Sequence, residues 1–368
     1  MIILALALCY IGLYLSYPLW LSVLLPGRIA SPGPLSGSIP PGITVLLLSC
    51  NGAEYLKKKI DWLLRELESF PLHEFFILDD GSTDGSQAIL EQYTEHPGVR
   101  LIFHDRQHGI PFSMNRGVQN ASYEIIVFFD QRQEVLNGSL RRIIEPFADE
   151  RVVAVSGCIS HIDRDQHTSW LRTHENYLKM GESRLGSLIG VYGPFYAVRR
   201  NCYSPIPEKI ILDDLWLSLK ILPRGFILIS PECLITDDNH TELYDLKRVK
   251  RYVEGFGQIA GDRELFRSLP PIQRTMLIWH KYFRLGIPLV LAACYFTAAI
   301  LAANNMHFLL LFGVMTLLGI LSVWPGGFLR RLKLINLVRI NLFYAVALTG
   351  FIVGRLPGWF RVSAPVKG

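Results

Sequence analysis

The sequence predicts an α/β domain on a mixed, mainly parallel sheet of Rossmann-like type, with apolar helices at both ends of the chain. From Ile43 onward, short apolar runs alternate with stretches of helical periodicity. Strands separated by helices in this way form sheets that helices cover on both faces. Hydrophobic residues make up 50% of the 368 residues, but they concentrate near the two termini. We therefore expect a water-soluble domain between membrane segments.

Residues 1–25 are almost wholly apolar, and the first residues among them carry no basic side chain. A cleaved signal peptide begins with a basic region, so this segment is predicted to be an uncleaved membrane anchor. The first basic residue after it is Arg28, and basic flanks stay on the cytoplasmic side of a membrane. Residues 26–42 are rich in Pro, Gly and Ser and are predicted to be a linker to a cytoplasmic domain.

The domain is predicted to span residues 43–240. Ile43–Cys50 is a continuous apolar run of the length of a buried parallel strand. Glu54–Ser69 has apolar residues at helical spacing. Ser82 is of a type that caps a helix. Further strands are predicted at Phe75–Leu78, Val99–Phe103, Glu124–Phe129 and Val152–Val155, and further helices from Ser82 to Tyr93 and from Leu140 to Phe147.

The C-terminal third changes in character again. Residues 241–284 carry many basic and aromatic side chains and are predicted to lie at a membrane surface. Three apolar stretches follow in residues 285–354, each about long enough to span ~30 Å of hydrocarbon. The basic residues between the second and third stretches place that link in the cytoplasm. The stretches lie near 285–303, 308–324 and 334–354, before a tail of residues 355–368.

Charge and cysteine content exclude some classes of protein. The net charge is +5, without the dense basic stripe of a nucleic-acid-binding protein. A mild basic excess suits an anionic membrane surface. The six cysteines are scattered and form no CxxC pair, so we expect reduced thiols, as in a cytoplasmic domain.

Acidic side chains follow two predicted strands. Asp79 and Asp80 come directly after the second strand, and Asp130 ends the fourth. Ligands of such sheets bind at the carboxyl ends of the strands. Asp79 and Asp80 can accept hydrogen bonds from a ribose hydroxyl or a base N–H, and Asp130 can hold a divalent cation beside a diphosphate. The alternative is that these acids only form turns and end strands.

A second acid pair, Asp213 and Asp214, opens a predicted helix. Acids at this position complement the helix dipole, and they can also supply a general base. Gly193 belongs to a glycine-containing segment that would let the backbone approach a ligand closely. In the strand after it, Arg199 and Arg200 face either solvent or a phosphate.

Basic residues recur in the segment 247–258, which includes Arg248 and Arg251. They can balance the charge of a departing nucleoside diphosphate. The alternative is a membrane-surface helix whose basic side chains meet lipid head groups.

Taken together and in this order, the motifs over roughly residues 42–285 resemble the family 2 glycosyltransferases, which have a GT-A fold. The resemblance implies a donor loop at Asn51, although the acid that usually follows is Gly52 here. It implies a site in which the two acids after strand two contact the nucleoside. The acid after strand four would begin a metal-binding DxD motif. The second acid of the later pair, at the start of a helix, would be the base. The corresponding residues are Asp79, Asp80, Asp130, Asp213 and Asp214, with Arg248, Arg251 and Tyr252 near a Q/RxxRW motif.

Within that family the chain is most similar to a membrane-bound bacterial group, like polysaccharide synthases, whose DxD site reads Asp-x-Arg-Gln. Asp130–Gln133, Tyr196–Arg200, Leu212–Asp214 and Gly255–Gln258 follow the pattern of this group. Two departures from the family pattern bear on function. Arg132 replaces the second Asp of the DxD motif and could itself meet a phosphate oxygen. Tyr252 replaces a Trp that is tied to chain-extending synthases, which argues against processive polymerisation.

The resemblance implies an inverting enzyme that uses a nucleotide sugar, most commonly a UDP-sugar, together with Mg²⁺ or Mn²⁺. The acceptor would be a glycan or a lipid-linked glycan, and the donor-site residues would include Asn51, Arg132 and Gly193. The expected location is a bacterial inner membrane, in contact with its lipids and with partners in polysaccharide synthesis or export. Two alternatives stay open: a non-catalytic nucleotide-sugar-binding subunit of a polysaccharide assembly, and a polyprenyl-phosphate sugar transferase.

Overall fold

A computed structural model describes residues 2–24, 40–160, 170–236, 246–323 and 333–353. The chain divides into two compact units, and each is considered separately. The larger unit comprises the described parts of 21–239 and 262–273. The smaller unit comprises those of 1–20, 240–261 and 274–366.

The strands of the larger unit form one mixed sheet in the order β3-β2-β1-β4-β7-β6-β8-β5. Strands β1 to β4 pair in parallel, whereas β7 runs antiparallel to both of its neighbours, β4 and β6. The strands are β1 (Gly42–Ser49), β2 (Leu72–Asp79), β3 (Val99–Phe103), β4 (Ile125–Asp130), β5 (Glu134–Val135), β6 (Val152–Ile159), β7 (Phe195–Arg199) and β8 (Phe226–Thr236).

The described residues also form helices, which belong to both units of the chain. They are α1 (Ile2–Leu15), α2 (Tyr17–Leu24), α3 (Ala53–Leu67), α4 (Ser86–Glu91), α5 (Ile110–Asn120), α6 (Ser139–Ile144), α7 (Trp170–Arg184), α8 (Asp213–Ile221), α9 (Leu246–Gly261), α10 (Arg263–Ser268), α11 (Pro271–Met276), α12 (Phe283–Leu301), α13 (Met306–Val323) and α14 (Lys333–Val353), with a π-helical turn at Leu277–Tyr282 between α11 and α12.

Helices cover both faces of the sheet in the larger unit. Apolar residues of α3, spaced at three or four positions, pack on alternate residues of β1, β2 and β4 in one buried core. On the opposite face α5 lies so close to β1 that a Cβ atom on Gly117 would be 2.7 Å from Leu46 Cδ1. This two-sided cover explains why β1 is a continuous apolar run.

The structure corrects the predicted start of one helix. Ser82 was predicted to cap a helix running to Tyr93, but α4 begins at Ser86, after Gly85 in a left-handed conformation with φ 91°. The Ser82 hydroxyl is used elsewhere, since it donates to Asp79 Oδ1 at 2.5 Å and accepts from Asn51 N at 2.9 Å. A hydroxyl engaged in this turn does not cap the helix.

The smaller unit contains apolar helices of different lengths. The run Pro271–Leu301 forms a single helix, and this helix is long enough and apolar enough to cross a membrane. The pair Ile2–Leu15 and Tyr17–Val23 passes the same test if it is one span, bent by 43°. Two further apolar helical runs, Met306–Ser322 and Leu337–Ile352, are shorter. The predicted linker, residues 26–42, and tail, residues 355–368, lie largely or wholly outside the described residues.

Candidate active site at the carboxyl edge of the sheet

The register of the parallel strands brings three strand ends to one edge. Ser49 at the end of β1 pairs with Asp79 at the end of β2. Leu48, one residue earlier in β1, pairs with Asp130 at the end of β4. The acids that the sequence analysis singled out after two separate strands therefore lie along the same edge.

Asp79 is fully buried, and both of its carboxylate oxygens are engaged by Ser82. Oδ2 accepts from Ser82 N at 3.1 Å, and Oδ1 accepts from the Ser82 hydroxyl at 2.5 Å. The first acid of the pair thus closes its own turn. Its predicted contact with a nucleoside stays a prediction.

Asp80 is 5% exposed and holds the segment that follows β3. Its Oδ1 accepts from His108 N at 2.9 Å and lies 3.1 Å from His104 Nδ1, and its Oδ2 accepts from Gly109 N at 2.7 Å. The side chains of His108 and Phe112 stack with ring centroids 4.3 Å apart. Asp80 therefore shapes the wall beside the strand ends, and no motif in the sequence pointed to this segment.

Asn51 joins the first two turns of this edge. It adopts a left-handed conformation with φ 48°, which Asn tolerates better than most residues. Its Oδ1 accepts from Thr83 N at 2.8 Å and from the Thr83 hydroxyl at 3.3 Å. The predicted donor loop is thereby fixed to the loop that carries Asp79 and Asp80.

Gln131 occupies the space beside Gly52. In the family that the motifs resemble, an acid usually stands at the position of Gly52. Its Nε2 donates to Cys50 O at 2.9 Å. A Cβ atom on Gly52 would lie 2.2 Å from Gln131 Cδ. The glycine at this position is therefore explained by the buried glutamine opposite, a pairing across the sheet that sequence alone could not reveal.

Cys50 lies among the acids of this edge. Burial, together with the nearby charges of Asp80, Asp79 and Asp84, raises the pKa of the Cys50 thiol to about 11. The thiol is therefore protonated at neutral pH, and it donates to Asp80 O at 3.5 Å. Cys50 forms no disulfide, in line with the reduced thiols that the sequence analysis predicts.

Asp130 is the more accessible acid, with 31% of its side chain exposed. Its Oδ1 accepts from Arg132 N at 2.9 Å, and its Oδ2 lies 3.7 Å from Arg132 Nη2. Among the described residues no group of three or more His, Cys, Asp or Glu side chains could hold a metal ion.

Gly193 connects Asp130 with the second acid pair. The amide of Asp130 donates to Pro194 O at 2.9 Å, which places the start of β7 beside the end of β4. A Cβ atom on Gly193 would lie 3.1 Å from Asp214 Oδ2. The carboxylate of Asp214 thus lies against the glycine, at the edge where Asp130 lies.

Asp213 and Asp214 form the first turn of α8 and have different surroundings. Asp214 Oδ1 accepts from Leu215 N at 2.7 Å, so one oxygen serves the helix terminus. Burial raises the pKa of Tyr196 well above its usual value. The charges of Asp213, Tyr203 and Asp214 raise it further, and that of Asp213 has the largest effect of the three. The charge of Asp213 acts more strongly than that of Asp214 on the pKa of Tyr196, and Asp214 is the acid that lies against Gly193.

The remaining predicted residues are not brought to this edge within the larger unit. Arg199 is buried, and its guanidinium donates to Val152 O and Phe147 O, so it does not face solvent. It pairs with Ile125 at the opposite end of β4 from Asp130. Arg248 and Arg251 belong to α9 in the smaller unit, and their predicted contact with a diphosphate stays a prediction.

Comparison with known proteins identifies this region. Residues 44–204, which contain the strand ends and Gly193, match the family model described as glycosyl transferase family 2. This match supports a family 2 glycosyltransferase domain in this stretch, as the resemblance of the motifs predicted. It also supports a transferase enzyme. The membrane-bound group and the variant of the DxD motif stay predictions. The matched range stops before Asp213 and Asp214, so their roles are not supported by it.

Known glycosyltransferases share parts of the chain. An uncharacterised glycosyltransferase of Nostoc sp. is 32% identical over 34% of this chain and 39% of its own length. A putative teichuronic acid biosynthesis glycosyltransferase of Bacillus subtilis is 27% identical over 53% of this chain and 77% of its own length. A poly-β-1,6-N-acetyl-D-glucosamine synthase of Staphylococcus epidermidis is 22% identical over 49% of this chain and 45% of its own length. The chain thus spans less than half of the first and third of these relatives.

A solved structure supports the fold of the glycosyltransferase. A mannosyltransferase of Pyrobaculum calidifontis, solved with GDP-Man and Mn²⁺, has a TM-score of 0.73 at 19% identity and covers 96% of this chain and 99% of that one. At this identity the likeness shows the fold alone. The predicted mixed, mainly parallel GT-A fold is confirmed.

Proposed function

We propose that the chain is a membrane-bound inverting glycosyltransferase that moves a sugar from a nucleotide-sugar donor to a glycan or lipid-linked acceptor in cell-surface polysaccharide synthesis. One observation carries the proposal: Asp130 and Asp214 lie along the same sheet edge and are connected through Pro194 and Gly193. A half-exposed carboxylate can face the donor phosphates while a second carboxylate faces the acceptor. The two relatives named for teichuronic acid biosynthesis and for poly-β-1,6-N-acetyl-D-glucosamine synthesis support a glycan product.

The donor side is assigned to the first three strand ends. Asn51, Asp79 and Asp80 form the wall on which the nucleoside would lie, and their mutual hydrogen bonds would preorganise it. Arg132, from its exposed position beside Asp130, would meet a phosphate oxygen. Both UDP and GDP donors are reasonable, since UDP-sugars are the commonest donors of the family and the mannosyltransferase was solved with GDP-Man.

A divalent metal, Mg²⁺ or Mn²⁺, would bind at Asp130 and neutralise the charge of the leaving diphosphate. The resemblance adds Arg248 and Arg251 as further cations for that charge. With a single protein carboxylate at this point and Arg132 beside it, we expect metal affinity to depend strongly on the nucleotide being bound.

The chemical step is proposed to be a single displacement. The acceptor hydroxyl oxygen bonds to the anomeric carbon as the bond from that carbon to the diphosphate oxygen breaks. Asp214 takes the hydroxyl proton, and the nucleoside diphosphate leaves with the bonding electrons. One displacement inverts the anomeric configuration. The position of Asp214 against a residue without a side chain supports this role, because the glycine leaves room for an acceptor beside the carboxylate.

The smaller unit is proposed to anchor the enzyme in a bacterial inner membrane with the glycosyltransferase domain in the cytoplasm. The apolar helix Pro271–Leu301 supports this location. Arg339 within α14 is buried, and its Nε donates to Ser322 O at 2.5 Å, as an intramembrane charge requires a partner. Trp20 and Trp279, with ring centroids 5.4 Å apart, are of the type that lies at membrane–water interfaces.

The test is a screen of nucleotide sugars against the detergent-solubilised protein, with and without Mn²⁺. We expect release of nucleoside diphosphate from one donor class, and proton NMR of the product should show an anomeric configuration opposite to that of the donor. Retention of configuration would contradict the mechanism. Donor binding without release at any acceptor would instead indicate a non-catalytic subunit, and transfer confined to polyprenyl phosphate would indicate the lipid-phosphate transferase.

A further inference from the structure

The segment Ile189–Tyr192, which leads into Gly193 and β7, is held by side chains rather than by a neighbouring strand. Every one of its residues has a backbone group that bonds to a buried side chain. Ile189 N donates to Glu182 Oε2 at 3.3 Å, Lys179 Nζ donates to Gly190 O, Val191 N donates to Ser218 Oγ at 3.1 Å, and Tyr192 N donates to Ser156 Oγ at 2.8 Å.

These four polar side chains come from three different elements, β6, α7 and α8, and all of them are buried. Buried polar groups are costly unless they are hydrogen-bonded, and a fully bonded network specifies one conformation. The backbone before Gly193 is therefore held in one place by the surrounding elements.

Ser218 differs from the other three because it also bonds to the acid pair. Its hydroxyl donates to Asp214 O at 2.6 Å, one turn earlier in α8, and accepts from Val191 N at 3.1 Å. The residue is 1% exposed. A single hydroxyl thus ties the first turn of α8 to the segment that borders Asp214.

The spacing between that segment and the carboxylate is small. A Cβ atom on Gly193 would lie 3.1 Å from Asp214 Oδ2 and 3.5 Å from its Cγ. A displacement of a few tenths of an ångström would therefore change where Oδ2 lies relative to an acceptor. Rates are sensitive to such displacements, because a misplacement of about 1 Å can cost roughly 10²-fold.

We infer that Ser218 is a positioning residue for the transfer reaction: its hydroxyl sets the distance between the Asp214 carboxylate and the Gly190–Gly193 segment. This inference rests on the proposed role of Asp214 as the base. The hydroxyl does not touch substrate. It acts by holding the Asp214 carboxylate and the adjacent Gly193 at a fixed distance from each other.

Ser187 provides a matched control for Ser218→Ala. It is also buried, and its hydroxyl also accepts a backbone amide, Ile227 N at 2.9 Å, and lies 3.4 Å from a carbonyl, Gly225 O. Ser187→Ala therefore removes the same kind of hydrogen bonds without touching α8. We expect both variants to lower the unfolding midpoint to a similar extent.

The kinetic readout is acceptor-free hydrolysis of UDP-glucose, UDP-N-acetylglucosamine or GDP-mannose, whichever the wild type hydrolyses fastest. Ser218→Ala should lower kcat by roughly 10- to 100-fold and leave KM for the donor within about twofold. Ser187→Ala should keep kcat within about threefold. Ser218→Thr, which keeps a hydroxyl able to bond to the carbonyl four residues earlier, should recover most of the loss. Gly193→Ala should lower kcat independently, because its Cβ would push the carboxylate.

Hydrogen exchange supplies a readout that needs no donor. Ser218→Ala should speed amide exchange in peptides covering both 188–193 and 213–218, whereas Ser187→Ala should act on 225–229. Equal kcat in the two alanine variants, or unchanged exchange at 213–218 in Ser218→Ala, would overturn the inference. If Asp214→Asn leaves turnover intact in a folded protein, the proposed function fails instead. If Asp214→Asn slows turnover but Ser218→Ala behaves like Ser187→Ala, only the positioning role fails.

Discussion

Asp80 and Asp130 both lie at the ends of parallel strands, yet their carboxylates have different surroundings. The sequence placed both at the ligand-binding edge because strand ends can be read from apolar runs that stop at an acid. It could not show that Asp80 is engaged by His108 N and Gly109 N while Asp130 stays half-exposed. Those contacts depend on the path of a loop that has no periodic pattern.

Asp130→Ala is expected to abolish the metal-dependent part of donor binding, because it removes the only acid of the DxD-like site. Calorimetric titration of UDP and GDP with and without Mn²⁺ measures this. Glu232→Ala, which removes an exposed carboxylate paired with Arg142, is the control and should leave the titration unchanged. Metal-dependent affinity that survives in Asp130→Ala would remove Asp130 from the metal site.

Cys50 should react slowly with iodoacetamide at neutral pH, because burial and the acids around it raise the pKa of its thiol to about 11. Since the thiolate is the reactive form, the rate should rise with pH, reach half of its maximum near pH 11 and level off only above it. Mass spectrometry of the Cys50 peptide, with glutathione as the reference thiol, measures the profile. A half-maximal rate near pH 9 would show that burial and the neighbouring carboxylates do not act on this thiol.

At the scale of elements, the parallel half of the sheet followed from the sequence and the antiparallel half did not. Apolar runs predicted strands at the positions of β1, β2, β3, β4 and β6. The direction of β7 is set by its pairing with β4, from Ile125 with Arg199 to Phe129 with Phe195. Such a pairing joins residues about 70 positions apart and leaves no trace in local periodicity.

The turn between β1 and α3 depends on Gly52 and Gln131. Gly52→Ala should lower the free energy of unfolding by about 1–3 kcal/mol, because its Cβ would lie 2.2 Å from the glutamine side chain. Gln131→Ala alone removes a hydrogen bond to Cys50 O and is also destabilising. In the double variant the added Cβ atom no longer meets a glutamine side chain. The loss in free energy of unfolding measured for the double variant should therefore be smaller than the sum of the losses of the two single variants. Urea unfolding of the four proteins gives the coupling, and strict additivity would contradict this packing.

In the whole molecule, composition alone distinguishes a region of mixed polarity from the apolar segments near the two ends of the sequence. The three predicted C-terminal stretches fall on helices at 283–301, 306–323 and 333–353. Among the described helices, Pro271–Leu301 is long and apolar enough to cross a membrane, so the other two spans stay predictions. The N-terminal segment was predicted as one anchor, whereas the structure has two helices bent by 43°. Pro18 lies in the first turn of the second helix, two residues after the break at Ser16. A proline has no N–H and clashes with the preceding turn of a helix, so the sequence did carry a signal for this break.

The predicted topology places the glycosyltransferase domain in the cytoplasm. Alkaline phosphatase fused after residue 40 should therefore be inactive in a bacterial host, and green fluorescent protein at the same position should fluoresce. The matched control is the same pair of fusions behind a cleavable secretory signal. An active phosphatase at residue 40 would place the domain outside and separate it from cytoplasmic nucleotide sugars.

The proposed mechanism depends on Asp214 as the base of the glycosyl transfer, and the variant Asp214→Asn removes that base. The substitution keeps the shape of the side chain and removes the proton acceptor. Turnover should fall by roughly 10²–10⁴-fold, the usual contribution of general base catalysis. Donor affinity should barely change, because the strand ends that carry Asn51 and Asp130 are untouched. Asp213→Asn is the matched control and should be the less damaging change, because Asp214 is the acid that lies against Gly193. If Asp213→Asn is the more damaging change, the roles of the two acids are exchanged. If neither variant slows transfer while the protein stays folded, the acid pair serves only the helix terminus, and the proposed role of Asp214 as the base is wrong.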